Sequence, residues 1–365
     1  EEIPPLMRLI RDPMPYAQLI PISVILEASR AAAKAIDNDL DRAISRTTYR
    51  KIIEIITKRW KGRGSKESAV MAKDYASHAL HYYKARFFPR LFRAVANYCL
   101  GIKGRKLLDP FVGSGTALVE SILMGVDAIG IDVDPLCVFM SKVKTKVLEW
   151  DIKRIRDAIR VYKILKKVLK SPYRLARLDY CAQENVNDKR KKMLYHSMLP
   201  SFIVKRIPHN LLSELLEECS RILHAIEYCV IESEDIIDFF KLMLSDALTR
   251  KIKFRFHGLG VGRFALEISQ RSLRDLFLSS ARKALKALTT YVLVSEELGL
   301  KSVFSTTPLI LCGDFLTSEL EPNSFDAIVT SPPYLPAASG RESYVRSKAL
   351  PMIILGLVKG EEDIK

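Results

Sequence analysis

Two short stretches of this 365-residue chain carry residue types and spacings that could do chemistry. In LLDPFVGSGTALVE, Asp109 ends an apolar run, Gly113 and Gly115 form a turn, and a helical pattern begins directly behind them. Glycines at such a turn let a ligand approach the backbone, and the first N–H groups of the following helix have no partner within it. Asp132 closes the next apolar run, about 20 residues on, where a carboxylate can accept hydrogen bonds from both hydroxyls of a ribose. Strand, glycines, helix and acid in that order specify a nucleoside-containing cofactor. In NSFDAIVTSPPYLPAASGRESY, an apolar strand from Ala327 to Val329 runs straight into Pro332, Pro333 and Tyr334, where regular structure must stop. A rigid turn with few donors holds carbonyls and one aromatic face in fixed positions.

The elements that must position these stretches can be read from periodicity. Residues 1–75 have apolar positions at helix spacing in PISVILEASRAAAKAI and YRKIIEIITKRW, followed by a basic, glycine-containing loop. The aromatic and basic segment HYYKARFFP then leads into a helix. Lys106 to Asp109 reads as the first strand and DAIGIDVDP as the second, giving a βαβ unit. From about 141 to 305 the pattern changes to long amphipathic, often basic helices, read as an inserted domain. Within it, KIKFRFHGLGVGRFALEI alternates charged and aromatic residues around three glycines and predicts a β-hairpin. Strand character returns in PLILCGDF and SFDAIVT. The predicted organisation is therefore a helical region over 1–75, the first half of a doubly wound α/β domain over 76–140, a helical insert over 141–305, and the second half over 306–365.

Composition bounds the partners. A formal net charge of +16 and a pI near 9.5 favour a polyanion, because clustered Lys and Arg gain affinity by releasing counterions from phosphates; general basicity of a thermophile's protein is the plainer alternative. Lys163, Lys166, Lys167, Lys170, Arg174 and the run 189–192 are candidate phosphate contacts, and Arg255, His257 and Arg263 in the ribbon a candidate reader. For the helical lysines a solvated face is the competing reading, and for the ribbon a plain hairpin. Cys99, Cys137, Cys181, Cys219, Cys229 and Cys312 form no C-x-x-C pair, and His78, His196, His209 and His224 show no metal spacing, so no metal is expected. A reducing cytoplasm fits this cysteine usage. No apolar run approaches bilayer length, and EEIPPLMRLI lacks the order of a secretory signal. The chain also begins without methionine, which suggests an incomplete sequence.

DPFVGSGT followed by GIDVDP resembles motifs I and II of the S-adenosylmethionine-dependent methyltransferases that modify exocyclic amines of DNA bases, and TSPPY is similar to their catalytic motif IV. The G-x-G-x-x-G spacing of dinucleotide sites is not met, since position 118 is Leu118. The resemblance covers roughly 78–140 and 308–350, and it implies a Rossmann-like class I methyltransferase sheet carrying a large, mainly helical insert and an N-terminal helical extension. It further implies that Asp109, Pro110, Phe111, Gly113, Ser114, Gly115 and Thr116 line the methionine and ribose side of S-adenosylmethionine, that Asp132 holds the ribose, and that Asp314 faces the adenine. Lys84, Phe87 and Pro89 would close over the methionine tail.

The same resemblance gives the proline turn a task. An exocyclic amine of cytosine is a poor nucleophile because its lone pair is delocalised into the ring. The Ser331 hydroxyl and the Pro332 carbonyl, stiffened by Pro333, would bind the two amine protons, and Tyr334 would stack on a base extruded from duplex DNA. Ser at this position resembles the cytosine-N4 group; adenine-N6 families carry Asp or Asn there. The expectation is a cytosine-N4 DNA methyltransferase of a restriction-modification system, with double-stranded DNA and a cognate endonuclease as partners. An RNA (tRNA) amino-methyltransferase and a non-catalytic nucleic-acid-binding subunit are the alternatives. Two departures stand against the pattern: four of seven strands are visible, and the cofactor loop precedes the catalytic turn.

Overall fold

The computed structural model describes residues 75–83, 86–101, 104–171, 198–230, 233–256, 264–297, 306–332, 348–359 and 363. These form two compact units, one ending at Ile159 and resuming over Lys283–Ser331, the other comprising Arg160–Arg282 and the residues from Pro332 on.

The first unit is α/β and Rossmann-like. Its sheet consists of β1 (Lys106–Asp109), β2 (Asp127–Asp132), β5 (Leu309–Cys312) and β6 (Ala327–Ile328), all parallel, in the order β5-β2-β1-β6. The four strands are those the sequence predicts. Leu107 and Leu108 point to opposite faces of β1 and are both buried, as a central parallel strand requires. Among the described residues, three helices pack on this sheet. α1 (Pro89–Leu100) starts on Pro89, whose missing N–H is no loss in a first turn, and stops at Gly101 with φ +57°. α2 (Thr116–Met124) is buried along its whole length and ends on left-handed Gly125, whose N–H satisfies two last-turn carbonyls. α3 (Pro135–Lys146) is capped by Asp134, whose side chain accepts from the Leu136 and Cys137 N–H groups. Between α1 and the sheet, Phe92, Ala96, Leu107, Ala117, Ala327 and Val329 form an apolar core.

The second unit is mainly helical. The chain enters it within α4 (Ile152–Lys170) and leaves it within α8 (Leu273–Glu297). Between them lie a short turn of helix, α5 (Ser201–Val204), the long helices α6 (His209–Cys229) and α7 (Glu234–Lys251), and an antiparallel hairpin of β3 (Ile252–Phe256) with β4 (Phe264–Ile268). The hairpin matches the ribbon read from sequence, with Arg255 opposite Ala265. α7 carries Glu234 and Asp235 in its first turn and Arg250 and Lys251 in its last, the order that complements the helix dipole. Phe239, Phe240 and Phe277 pack ring against ring in the interior. Among the described residues no helix is long and apolar enough to cross a membrane.

Candidate functional site

All four strands end on the same edge of the sheet, and each hands a predicted site segment to that edge: Asp109 to Thr116 after β1, Asp132 to Asp134 after β2, Asp314 after β5, and Thr330 with Ser331 after β6. From β1 the strand order runs outward through β2 to β5, then returns to the other side of β1 with β6. The reversal therefore lies between β1 and β6, and open parallel sheets bind ligands beyond the carboxyl ends of their strands at such a reversal.

The glycine loop is fastened to its surroundings at several points. The Val112 N–H donates to the Ile131 carbonyl (3.0 Å) and the Gly113 N–H to Asp132 Oδ2 (2.7 Å). Lys144, buried on α3, donates to the Ser114 carbonyl (2.9 Å), and the hydroxyls of Ser114 and Thr116 lie 3.0 Å apart. Gly113 and Gly115 have φ of +52° and +76°, a region that side chains disfavour. A Cβ at Gly115 would also meet Ser141 Oγ at 2.7 Å, and one on Gly130 in β2 would meet Val112 Cγ2 at 2.4 Å. Loop, strand and α3 are thus packed without room for a side chain, which leaves a backbone cradle facing the sheet edge.

Asp132 is half-buried and accepts from Gly113 N through one oxygen and from Asp134 N (2.9 Å) through the other. Phe111, 41% exposed, meets Phe315 edge to face with ring centroids 6.4 Å apart. Because β2 separates β1 from β5, this pair stands over the β2 end, beside Asp314, whose carboxylate accepts from Leu316 N. Sequence reasoning missed Phe315; the aromatic directly after Asp314 in CGDF was its signal.

Asp109 lies between the loop and Thr330. It is buried, and one oxygen, Oδ1, accepts from the Phe111 N–H (3.1 Å) and from the Thr330 hydroxyl (2.6 Å). Burial pushes its pKa up to about 6, against the Thr330 and Phe111 hydrogen bonds that lower it, with the nearby Asp132 charge raising it further. Thr330 directly precedes Ser331. Pro332 is described and exposed, whereas Lys84, Pro333 and Tyr334 lie outside the described residues.

Phe87 packs edge to face on Phe92 (5.6 Å, 89°) at the rim of the apolar core, and Pro89 is buried at the start of α1. The neighbouring Tyr83 reaches the loop: its hydroxyl would lie 3.5 Å from a Cβ on Gly113, and it contacts Cys137 Sγ at 3.5 Å. Beneath this segment sits a cluster that the sequence did not disclose. Glu120, fully buried on α2, receives Tyr75 OH (2.5 Å), Arg93 Nε (2.8 Å) and Arg93 Nη2, and contacts His78 Nε2 at 2.7 Å. Burial alone would raise the Glu120 carboxyl, yet Arg93, His78 and Tyr75 hold it below its ordinary range, while burial drives His78 down to about 4. His78 is therefore neutral near pH 7 and donates from Nε2, leaving Nδ1 without a hydrogen bond.

In the second unit, Lys166, Lys167 and Lys170 are exposed toward the end of α4 and Lys163 is half-buried. Arg255 lies on β3, while Arg174, residues 189–192, His257 and Arg263 fall outside the described residues. Among the described residues no cluster of three His, Cys, Asp or Glu could hold a metal ion.

The chain is similar to the Type II methyltransferase M.MvaI of Kocuria varians, 27% identical over 280 residues that cover 71% of this chain and 53% of that protein. It is likewise 24% identical over 298 residues to the Type II methyltransferase M.BsoBI of Geobacillus stearothermophilus, covering 78% of this chain and 54% of that protein. A stretch of 72 residues, 18% of the chain, is 38% identical to a tRNA (guanine(10)-N2)-dimethyltransferase of Methanothermobacter thermautotrophicus, covering 21% of that enzyme. The chain spans about half the length of the two Type II methyltransferases. No protein-family model matches it, and no solved structure does.

Proposed function

We propose that this chain carries the cofactor and catalytic segments of a site-specific DNA methyltransferase acting on an exocyclic amine, cytosine N4 foremost. The observation that carries this reading is the hydrogen bond from Thr330 to Asp109 across the strand reversal, which brings the turn with Ser331 beside the glycine loop. The similarity to two Type II methyltransferases over more than two thirds of the chain supports the same reaction class.

The residues of this edge fit S-adenosylmethionine. The backbone at Gly113 and Gly115 would accept the amino-acid portion, Asp132 the ribose hydroxyls, and Phe111 with Phe315 a flat adenine face near Asp314. Asp109, Asp132, Asp134 and Asp314 give this edge acidic character in an otherwise basic chain, which suits a cationic ligand. When bound, the cofactor supplies an electrophilic methyl group on sulfur. Ser331 Oγ and the Pro332 carbonyl would hold the two amine protons and so turn the nitrogen lone pair out of the base plane, and Tyr334 would stack on an extruded base. Lys166, Lys167 and Lys170 would neutralise phosphates, with Arg255 and Arg263 in the ribbon toward base edges.

The test is methyl transfer from labelled cofactor to duplex DNA and, in parallel, to total tRNA, followed by digestion to nucleosides and mass identification of the product. N4-methylcytidine in its deoxy form is expected. Label in tRNA alone would replace this reading with an RNA amino-methyltransferase, the second reading favoured by the 72-residue similarity to the tRNA enzyme.

A further inference from the structure

We propose that Thr330 is a positioning residue that clasps the Ser331 turn to the glycine loop through Asp109. β6 is short. Two of its residues pair with β1, Ala327 with Leu107 and Ile328 with Leu108, and the last main-chain bond runs from Val329 N to the Leu108 carbonyl (3.0 Å). Among the described residues, the bond from Thr330 is the last that fastens the chain to β1 before Ser331. A strand this short cannot aim the adjoining turn through its ladder alone, because a rotation about one residue redirects that turn.

The acceptor is what gives the clasp its purpose. Asp109 Oδ1 takes the Phe111 N–H and the Thr330 hydroxyl together, so one oxygen fixes both the start of the glycine loop and the residue that precedes Ser331. A hydroxyl donating to a buried carboxylate is a stronger tether than one donating to a neutral group. Among the described residues, the charged group facing Asp109 from the neighbouring strand is Asp132, and after β6 it is met by the Thr330 hydroxyl. Ionised Asp109 therefore relies on Thr330 and on the Phe111 N–H for the hydrogen bonds that water would otherwise supply.

For its effect on turnover this inference rests on the methyl-transfer reading, and for the tether itself it does not. The experiment compares the wild-type chain with Thr330→Val, which keeps the shape and removes the donor, and with Thr330→Ser, which keeps the donor. In Thr330→Val, amide exchange over residues 328–331 rises about tenfold, turnover falls by about 10- to 100-fold, and cofactor affinity by calorimetry stays within about twofold. The acid limb of the turnover profile moves to higher pH, because Asp109 loses a bond that favours its charged form. Thr330→Ser restores each property. Wild-type exchange in Thr330→Val, failure of Thr330→Ser to restore it, or a loss of affinity in step with turnover would overturn the clasp. A wild-type chain that neither binds cofactor nor transfers methyl would overturn the methyl-transfer reading instead, and the exchange measurement would still decide the tether.

Discussion

The two sides of the sheet edge are built differently. On the β2 side, the glycine loop is held by main-chain bonds to β2, by Asp132, by the buried Lys144, and by steric contact at Gly115 and Gly130. On the β6 side, two paired residues are bracketed by two side chains: Asp326, which accepts from the N–H groups of Arg105 and Lys106 (2.7 and 2.9 Å), and Thr330, which donates to Asp109. Under the proposed function, the rigid side would serve a cofactor that binds the same way every time, and the side tied by Thr330 would present Ser331 to the larger substrate.

That contrast can be broken or sharpened by substitution. The largest expected effect is in the helix that follows the glycine loop. Glu120→Leu leaves Arg93 buried without its anion beneath α2, and thermal unfolding is expected to show a loss of about 3 to 5 kcal/mol; Glu120→Gln, which keeps the hydrogen-bonding shape, should lose less. On the β6 side, Ser331→Ala is expected to lower turnover by about 10²- to 10³-fold with cofactor affinity nearly unchanged, measured by labelled methyl transfer and calorimetry. Asp132→Ala should invert that pattern, weakening cofactor binding by about 10- to 100-fold while sparing turnover at saturation. Equal losses of both properties in these two variants would remove the proposed division between cradle and turn.

A further effect, confined to pH values above the acid range, concerns the residue shared by both sides. Asp109 has its pKa raised from 3.8 to about 6 by burial, so it binds a proton more readily folded than unfolded. Its favourable contribution is complete below about pH 4 and is lost as pH rises through 6. Asp109→Asn should therefore match wild-type stability near pH 4 and exceed it by about 2 to 3 kcal/mol above pH 7, read from urea unfolding at both pH values. The same substitution should reduce activity, since Asn cannot supply the anion to which Thr330 donates.

Much of this edge is legible from local pattern. Lys106–Asp109, Asp127–Asp132, Leu309–Cys312 and Ala327–Ile328 are apolar runs stopped by an acid, a glycine or a proline, and each reads as a strand. The glycine loop is legible because φ above zero restricts residue choice so strongly. Side-chain partnerships across long separations are not. Glu120 meets Tyr75 and Arg93, 45 and 27 positions away; the hint is an acid in a nine-residue helix otherwise free of charge, TALVESILM. Thr330 escapes a reading of the sequence because its importance depends on which way its side chain leaves a two-residue strand. Phe315 and Tyr83 are similarly hidden, each one position from a residue whose role the motifs suggest.

The order β5-β2-β1-β6 has a consequence for how the protein is made. β1 and β2 leave the ribosome as a pair, but their flanking neighbours arrive only after the whole excursion from Asp132 to Leu309 has been synthesised. Closing that gap means bringing together segments far apart in the chain, a slow step in which the edges of a nascent two-stranded sheet stand open. Assembly of the four-stranded edge is thus a late event of biogenesis, and a chain stalled before β6 would hold its glycine loop without Thr330 and Ser331 beside it.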